Sequence, residues 1–550
     1  MKKIRWQLII ILVAGFVIGL LLLSEQTGFR IARTAPTRGG VYTEALIGNL
    51  QRLNPVLDYY NPVDRDVDRL IFSSLVRYDS RGYPQPELAK TWGVSYDGLI
   101  YNFDLQPDAY WHDGQPVTSE DVVFTIDLMR DPASVLPDDL KIFWRNIEVV
   151  ALAEKTLQIQ LPEAFAPFMD YLNFGILPKH LLGGLTYSEM VNSSFNLQPV
   201  GSGPYKFDNL IVESGQIKGV ILSVNSNYYR EIPFISQFVI RYYPSAELAY
   251  NAYIEGNVQA IGTVAEEILP NVLATPGLGV YSTNEPQIAM VLLNLNNSKV
   301  RFFQDPLVRR ALLKGLDRRR MIDTALMGQG ILADVPILPN SWAFYEANPR
   351  VDFDPQGAGD LLGQAEFLMA SSNTGIREKD GQPLRFELVH PNDAVHTKVA
   401  EDIRSNWAKI GVDVQLVAVA YDSLVLDYLQ PLTYQAALVD LNFRRSPDPD
   451  PYPFWDQAQQ SGGQNYSQWE NRTVSDYLEQ ARVSIDFSER AKLYRNFQVI
   501  FAEELPALPL FYPIYNYAVD KSVGGIRLGA MYDFNDRFAN VSEWFFVAQR

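Results

Sequence analysis

The chain has four histidines, His112, His180, His390 and His396, and no cysteine. His390 and His396 are six residues apart with Pro391 between them. That is not the spacing that sets two imidazoles on one helix face, and no His-Glu-x-x-His occurs. Without thiols there is no disulfide, thiolate metal site or cysteine nucleophile. No resident metal and no cofactor is expected. Gly201-Ser202-Gly203 is not a Gly-x-Ser-x-Gly elbow, and Pro204 after it points to a tight turn. Asp97-Gly98 and Asp113-Gly114 are turn pairs rather than the Asp-Thr-Gly of an aspartic protease. An acidic chain offers many carboxylate pairs for glycoside hydrolysis, and nothing singles out two. No glycine loop followed by lysine cradles a phosphate. The expectation is a protein that is not an enzyme.

Bulk numbers narrow the class. At 550 residues the chain is too long for one core, and 47% hydrophobic with 12% aromatic residues is ample for folded domains. A formal charge of −17 argues against a nucleic-acid partner, because phosphate binding needs a basic face. Arg309, Arg310, Arg318, Arg319 and Arg320 form a basic cluster. An anion site is one reading; a solvated helix face near carboxylates is the plainer one.

At the start, Lys2, Lys3 and Arg5 precede sixteen apolar residues, Leu8 to Leu23. The run makes about 24 Å of helix, and from Ile4 about 30 Å, enough to span hydrocarbon. Positive charge before it places the body outside the cytoplasm. Leu23-Ser24-Glu25-Gln26 lacks an Ala-x-Ala cut site, so an uncleaved signal-anchor (1–23) with a tether (24–38) is expected.

Beyond Gly40 the pattern alternates between helix and strand, which argues for α/β lobes. Val41 to Leu46 reads as a strand and Val67 to Tyr78 as a helix. Tyr101, Phe103 and Leu105 alternate with Asn102 and Asp104 as a half-buried strand. Thr118 with Asp121 forms a capping signal before a helix. Asp305-Pro306 opens a helix that the pattern extends past Asp317 toward Gly328. Leu384 to Val389 reads as strand, Val399 to Ile410 as helix, Gly411 as a stop and Val412 to Leu416 as strand. Glu489 begins a helix running to about Glu504.

Several stretches together resemble the extracytoplasmic solute-binding proteins of family 5, the peptide- and nickel-binding receptors of ABC importers. They include Pro86-Glu87-Leu88-Ala89-Lys90-Thr91-Trp92, the run Trp111-His112-Asp113-Gly114 to Val122, Pro199-Val200-Gly201-Ser202-Gly203-Pro204-Tyr205, and Asp305-Pro306-Leu307-Val308-Arg309-Arg310-Ala311-Leu312. The resemblance covers roughly residues 40 to 530. It implies a type II clamshell with two α/β lobes and an inserted helper subdomain. Lobe 1 is expected over 39–285 plus 512–550, lobe 2 over 286–511, and the helper over about 80–190. It implies a monomeric receptor that closes on a peptide-like or other small solute and hands it to membrane permease subunits. A ligand sensor without transport, or a carbohydrate-oligomer binder, is the alternative.

The resemblance also nominates ligand-binding residues. Asp448-Pro449-Asp450 resembles the family's marker after the loop lining the cleft. In peptide-binding members an Asp three positions earlier pairs with the ligand's α-ammonium group. Here Arg445 stands at that place, with Asn442 or Phe443 where a Trp is usual. A cation there disfavours a free amine unless Asp440 substitutes. Arg444 and Arg445 pointing to solvent, or pairing with Asp448 and Asp450, is the plainer reading. Asn465-Tyr466-Ser467-Gln468-Trp469 matches a cleft loop of the family, nominating Tyr466 and Trp469. Packing explains Trp469 equally well, and Trp455 reads as core.

Overall fold

The computed structural model describes residues 36–370 and 375–547. The expected anchor and most of the tether lie outside the described residues. Among the described residues no helix is long and apolar enough to cross a membrane.

A twelve-stranded mixed sheet organises the chain. Its order is Asp413–Val419, Arg385–Pro391, Ala436–Asn442, Gln287–Leu293, Ala507–Asp520, Ala260–Ile261, Val41–Ile47, Gln237–Tyr243, Gln216–Val224 and Tyr205–Glu213. Leu278–Asn284 and Gly330–Leu332 also pair with Ala507–Asp520. That strand is 14 residues long and serves two regions. Ala507 to Phe511 pair with Gln287–Leu293, and Ile514 to Asp520 pair with Leu278–Asn284. The backbone therefore crosses at two adjacent places, Asn284 to Gln287 and Phe511 to Ile514.

The buried apolar residues sort the same way. Two clusters come from residues 42–278 and 515–544, and two from residues 288–512. We call these sides the first and second halves. A separate antiparallel sheet, ordered Ala89–Val94, Ile100–Leu105, Thr156–Gln160 and Glu148–Ala153, joins the first core. There Tyr101, Phe103 and Leu105 point inward and Asn102 and Asp104 outward, as a period of two requires.

Local chemistry sets most boundaries. The Thr118 backbone N–H and hydroxyl donate to the Asp121 carboxylate at 2.8 and 3.1 Å, opening the helix Ser119–Met129. Asp393 caps Ala394–Lys409, and Gly411 leaves it at φ +83°. Gly201 is fixed by close approach, since a Cβ there would lie 2.0 Å from the Ile71 carbonyl oxygen.

Three expectations are corrected. The helix expected over Val67–Tyr78 is Pro62–Ile71, because Asn61 caps it and Phe72 is already extended; Val76–Tyr78 is a strand. The long helix after Asp305 is two helices, Pro306–Lys314 and Arg318–Ala325, with Asp317 capping the second. The arginine cluster is a solvated face only in part: Arg319 and Arg320 are exposed and Arg310 is half-buried, but Arg309 and Arg318 are buried. Arg309 is 4% exposed and donates to the carbonyls of Phe303, Gln304 and Glu504. Arg318, 5% exposed, donates to the carbonyls of Ala333, Val351 and Pro509 and pairs with Asp334. Helix ends and strand ends leave carbonyls without partners, and a buried guanidinium satisfies several at once.

Candidate functional site

The strand Ala436–Asn442 ends at the boundary between the halves, and the loop after it leans onto the first half. Phe443 is buried in the second core, with its N–H donating to the Pro286 carbonyl at 2.8 Å. Asn442 is exposed and accepts the Arg444 N–H at 2.8 Å. From here two neighbouring arginines diverge.

Arg445 has φ +62°, an uncommon conformation for any residue with a side chain. Its N–H donates to the Tyr532 carbonyl at 2.7 Å. Its guanidinium crosses to the first half, lies 4.1 Å over the Tyr59 ring and donates to the Tyr59 carbonyl at 2.7 Å. It also stands 3.6 Å from the Asp533 carboxylate, which Arg65 holds at 2.7 Å. Asp58 lies in the same cluster. Burial pushes its carboxyl up to about 7 against the pull of Arg65 and Arg445.

Arg444 stays uncommitted. Its guanidinium lies 4.2 Å over the ring of Phe534, which stacks on Tyr515 at 5.2 Å and 19°. Its Nε is buried without an acceptor. Among the described residues no carboxylate pairs with it within 4.0 Å. Glu285, in the crossing segment, is held above its ordinary value by burial, and Arg444 pulls it down in part.

Asp440 is taken by His396. The imidazole sits between Asp393 Oδ2 at 2.7 Å and Asp440 Oδ2 at 3.1 Å. Only the doubly protonated ring donates to both. Burial opposes that charge, but the two carboxylates outweigh it and the histidine is raised above its ordinary value. Tyr421 donates to the Asp440 carbonyl at 3.2 Å. Tyr466 stands partly buried beside Tyr421 and Tyr434. Trp469 lies deeper. It is 3% exposed, packs edge-on against Trp455 and Phe501, and donates to Glu504 at 2.7 Å.

The pairing of Arg444 and Arg445 with Asp448 and Asp450 is corrected. Asp448 takes Arg490 at 2.6 and 2.8 Å, and Asp450 takes Arg482 at 3.0 Å. Asp448 instead touches the first half through its backbone, donating to Asp170 Oδ2 at 2.6 Å. Burial and the Asp448 charge hold the Asp170 carboxyl well above the usual range.

So Asp440, Asn442, Phe443, Arg444 and Arg445 gather at one boundary, Tyr466 borders it, and Trp469 is core. Sequence reasoning passed over His396, Tyr59, Tyr421 and Asp533. The Tyr59-Tyr60 pair was a visible signal. Asp533 meets Arg65 from 468 residues away, whereas His396 and Tyr421 reach Asp440 across 44 and 19 residues. Two small cavities nearby, lined by Leu338, Phe443, Ser446, Pro447 and Tyr532 among others, are each about 10 Å³. That is room for one water, not for a solute.

The decisive comparison covers most of the chain: residues 83–464 match the model of the bacterial extracellular solute-binding proteins, family 5. The chain belongs to that family. The oligopeptide-binding protein AppA of Bacillus subtilis is 23% identical over 527 residues, covering 95% of this chain and 94% of its own. The nickel-binding periplasmic protein of Escherichia coli is 28% identical over 381 residues, 67% and 69% of the two chains. Among solved structures, HbpA2 of Haemophilus parasuis superposes with a TM-score of 0.81 at 21% identity, over 92% of this chain and 100% of that one. The shared fold is thus that of family members. The chain is an extracellular solute-binding protein, and the family is one of binding proteins, not enzymes.

Proposed function

We propose that the two halves are hinged lobes and that the chain is the receptor of an ABC importer, tethered outside the cytoplasm by its N-terminal segment. The observation carrying this reading is the double crossing at Asn284–Gln287 and Phe511–Ile514, where one strand serves both halves. Two short adjacent links absorb a dihedral change while each core stays intact. A solute binding between the lobes shifts their equilibrium only by its preference for one arrangement. Peptide-binding and nickel-binding relatives support a small polar solute.

The site favours a solute without a free α-ammonium group. Arg445 occupies the place of the expected carboxylate, and Asp440 is already hydrogen-bonded to His396. A buried ammonium facing Arg445 meets a like charge and competes with it for Asp533. Native mass spectrometry of protein from its own host tests what copurifies. Titration with free and N-acetylated peptides tests the preference. Tight binding that requires the free amine would sink it.

A further inference from the structure

We propose that Arg444 is the specificity-determining residue of the cleft and that it receives a carboxylate of the solute. This rests on the receptor reading above. Arg445 spends its guanidinium on a carbonyl, a ring and a carboxylate of the first half. Arg444 spends its own on one ring face.

A guanidinium has five N–H donors lying in its plane, and a ring beneath it uses none of them. Phe534 therefore fixes the plane of Arg444 and leaves the donor edge free. Phe534 is itself held by stacking on Tyr515, in the strand that crosses between the halves. The Arg444 backbone is pinned by Asn442. The fork is thus oriented before any ligand arrives, which lowers the entropy cost of binding. Its Nε has lost water and gained no acceptor. A buried donor left unmade is costly, so an acceptor supplied there is worth more than one at the surface. A planar carboxylate matches the fork with two parallel bonds.

The surrounding charges are compatible with one added anion. Asp440 and Asp393 are bridged by His396. Asp58 and Asp533 face Arg65 and Arg445. Glu285 is the competing group, since it feels Arg444 without bonding it. A carboxylate solute must outcompete Glu285, and removing that charge helps it.

The test uses the full-length chain in detergent. The probes are Ala-Ala, N-acetyl-Ala-Ala, their C-terminal amides, the corresponding tri- and tetra-alanine series, and succinate, measured by isothermal titration calorimetry. The expected result is that at least one acid probe binds and its amide binds at least tenfold more weakly. Arg444→Gln abolishes that difference, Arg444→Lys keeps part of it, and Glu285→Gln tightens the acid probe severalfold. The thermal midpoint of Arg444→Gln stays within a degree or two of the parent, because the guanidinium loses only its contact with the Phe534 ring. Equal binding of acid and amide, or an acid preference that survives in Arg444→Gln, overturns the role of Arg444 and leaves the receptor reading standing. Silence of every probe, charged or amidated, counts against both.

Discussion

Two of the polar contacts between the halves have opposite electrostatic design. At Arg445 a cation from the second half enters a group of first-half acids, Asp58 and Asp533, beside Arg65. At Asp448 an acid from the second half meets an acid of the first, Asp170, through a backbone N–H. The first contact is complementary in charge. The second is tolerated because Arg490 grips Asp448 and because Asp170 is held toward its neutral form. A boundary built this way weakens at one point and strengthens at the other as pH falls. The lesson is that the marker Asp448-Pro449-Asp450 serves the second core, while the residues just before it serve the boundary.

Breaking the acid-on-acid contact at its cation has the largest effect. Arg490 is 1% exposed and also donates to the Ala481 carbonyl at 2.8 Å. Arg490→Ala leaves Asp448 buried and uncompensated, and urea unfolding should show a loss of about 3–5 kcal/mol.

Neutralising Asp170 sharpens the same contact in the other direction. A buried acid with a raised pKa keeps a proton that the unfolded chain releases. Its cost is therefore absent at low pH and grows as pH rises toward the folded value. Asp170→Asn should stabilise the protein at pH 8 by on the order of 1 kcal/mol and much less at pH 4.5. Urea midpoints at the two pH values report it, and an equal gain at both would refute the assignment.

On the complementary side, Arg445→Gln removes the ring contact and the partly screened pair with Asp533. The expected loss is about 1 kcal/mol. The Asp58 carboxyl, about 7 with Arg445 in place, should titrate higher in the variant, as carboxylate infrared bands would show.

The smallest effect belongs to His396. Its folded pKa is raised, so its stabilisation is full below about 6.5 and fades as pH rises through the folded value. His396→Gln should therefore cost under about 1 kcal/mol at pH 6 and close to nothing at pH 9. Unfolding curves at both ends check the sign.

Much of this was readable from local patterns. Alternation placed Ile100–Leu105, caps placed Pro306 and Ser119, and Gly411 ended its helix. Those signals act within a few residues, so the sequence contains both cause and effect. The pattern failed where two local rules competed. Apolar spacing ran past Ile71, but Asn61 and the extended Phe72 set the actual limits. It failed again for Arg309 and Arg318, whose carbonyl partners lie up to about two hundred residues away.

The candidate site divides likewise. Its backbone position, at the end of Ala436–Asn442, followed from motif and spacing. The roles of its side chains did not. Arg444 and Arg445 are adjacent and chemically identical, yet one is spent on Tyr59 and Asp533 and the other rests on Phe534.

By itself the sequence determined an acidic, thiol-free α/β protein with a solute-binding signature, because composition, periodicity and capping are properties of short stretches. Which arginine is free, which acid bonds a histidine and where the two cores separate were decided only by tertiary structure. Those outcomes depend on burial and on charges brought together from distant segments, and neither exists until the chain has folded.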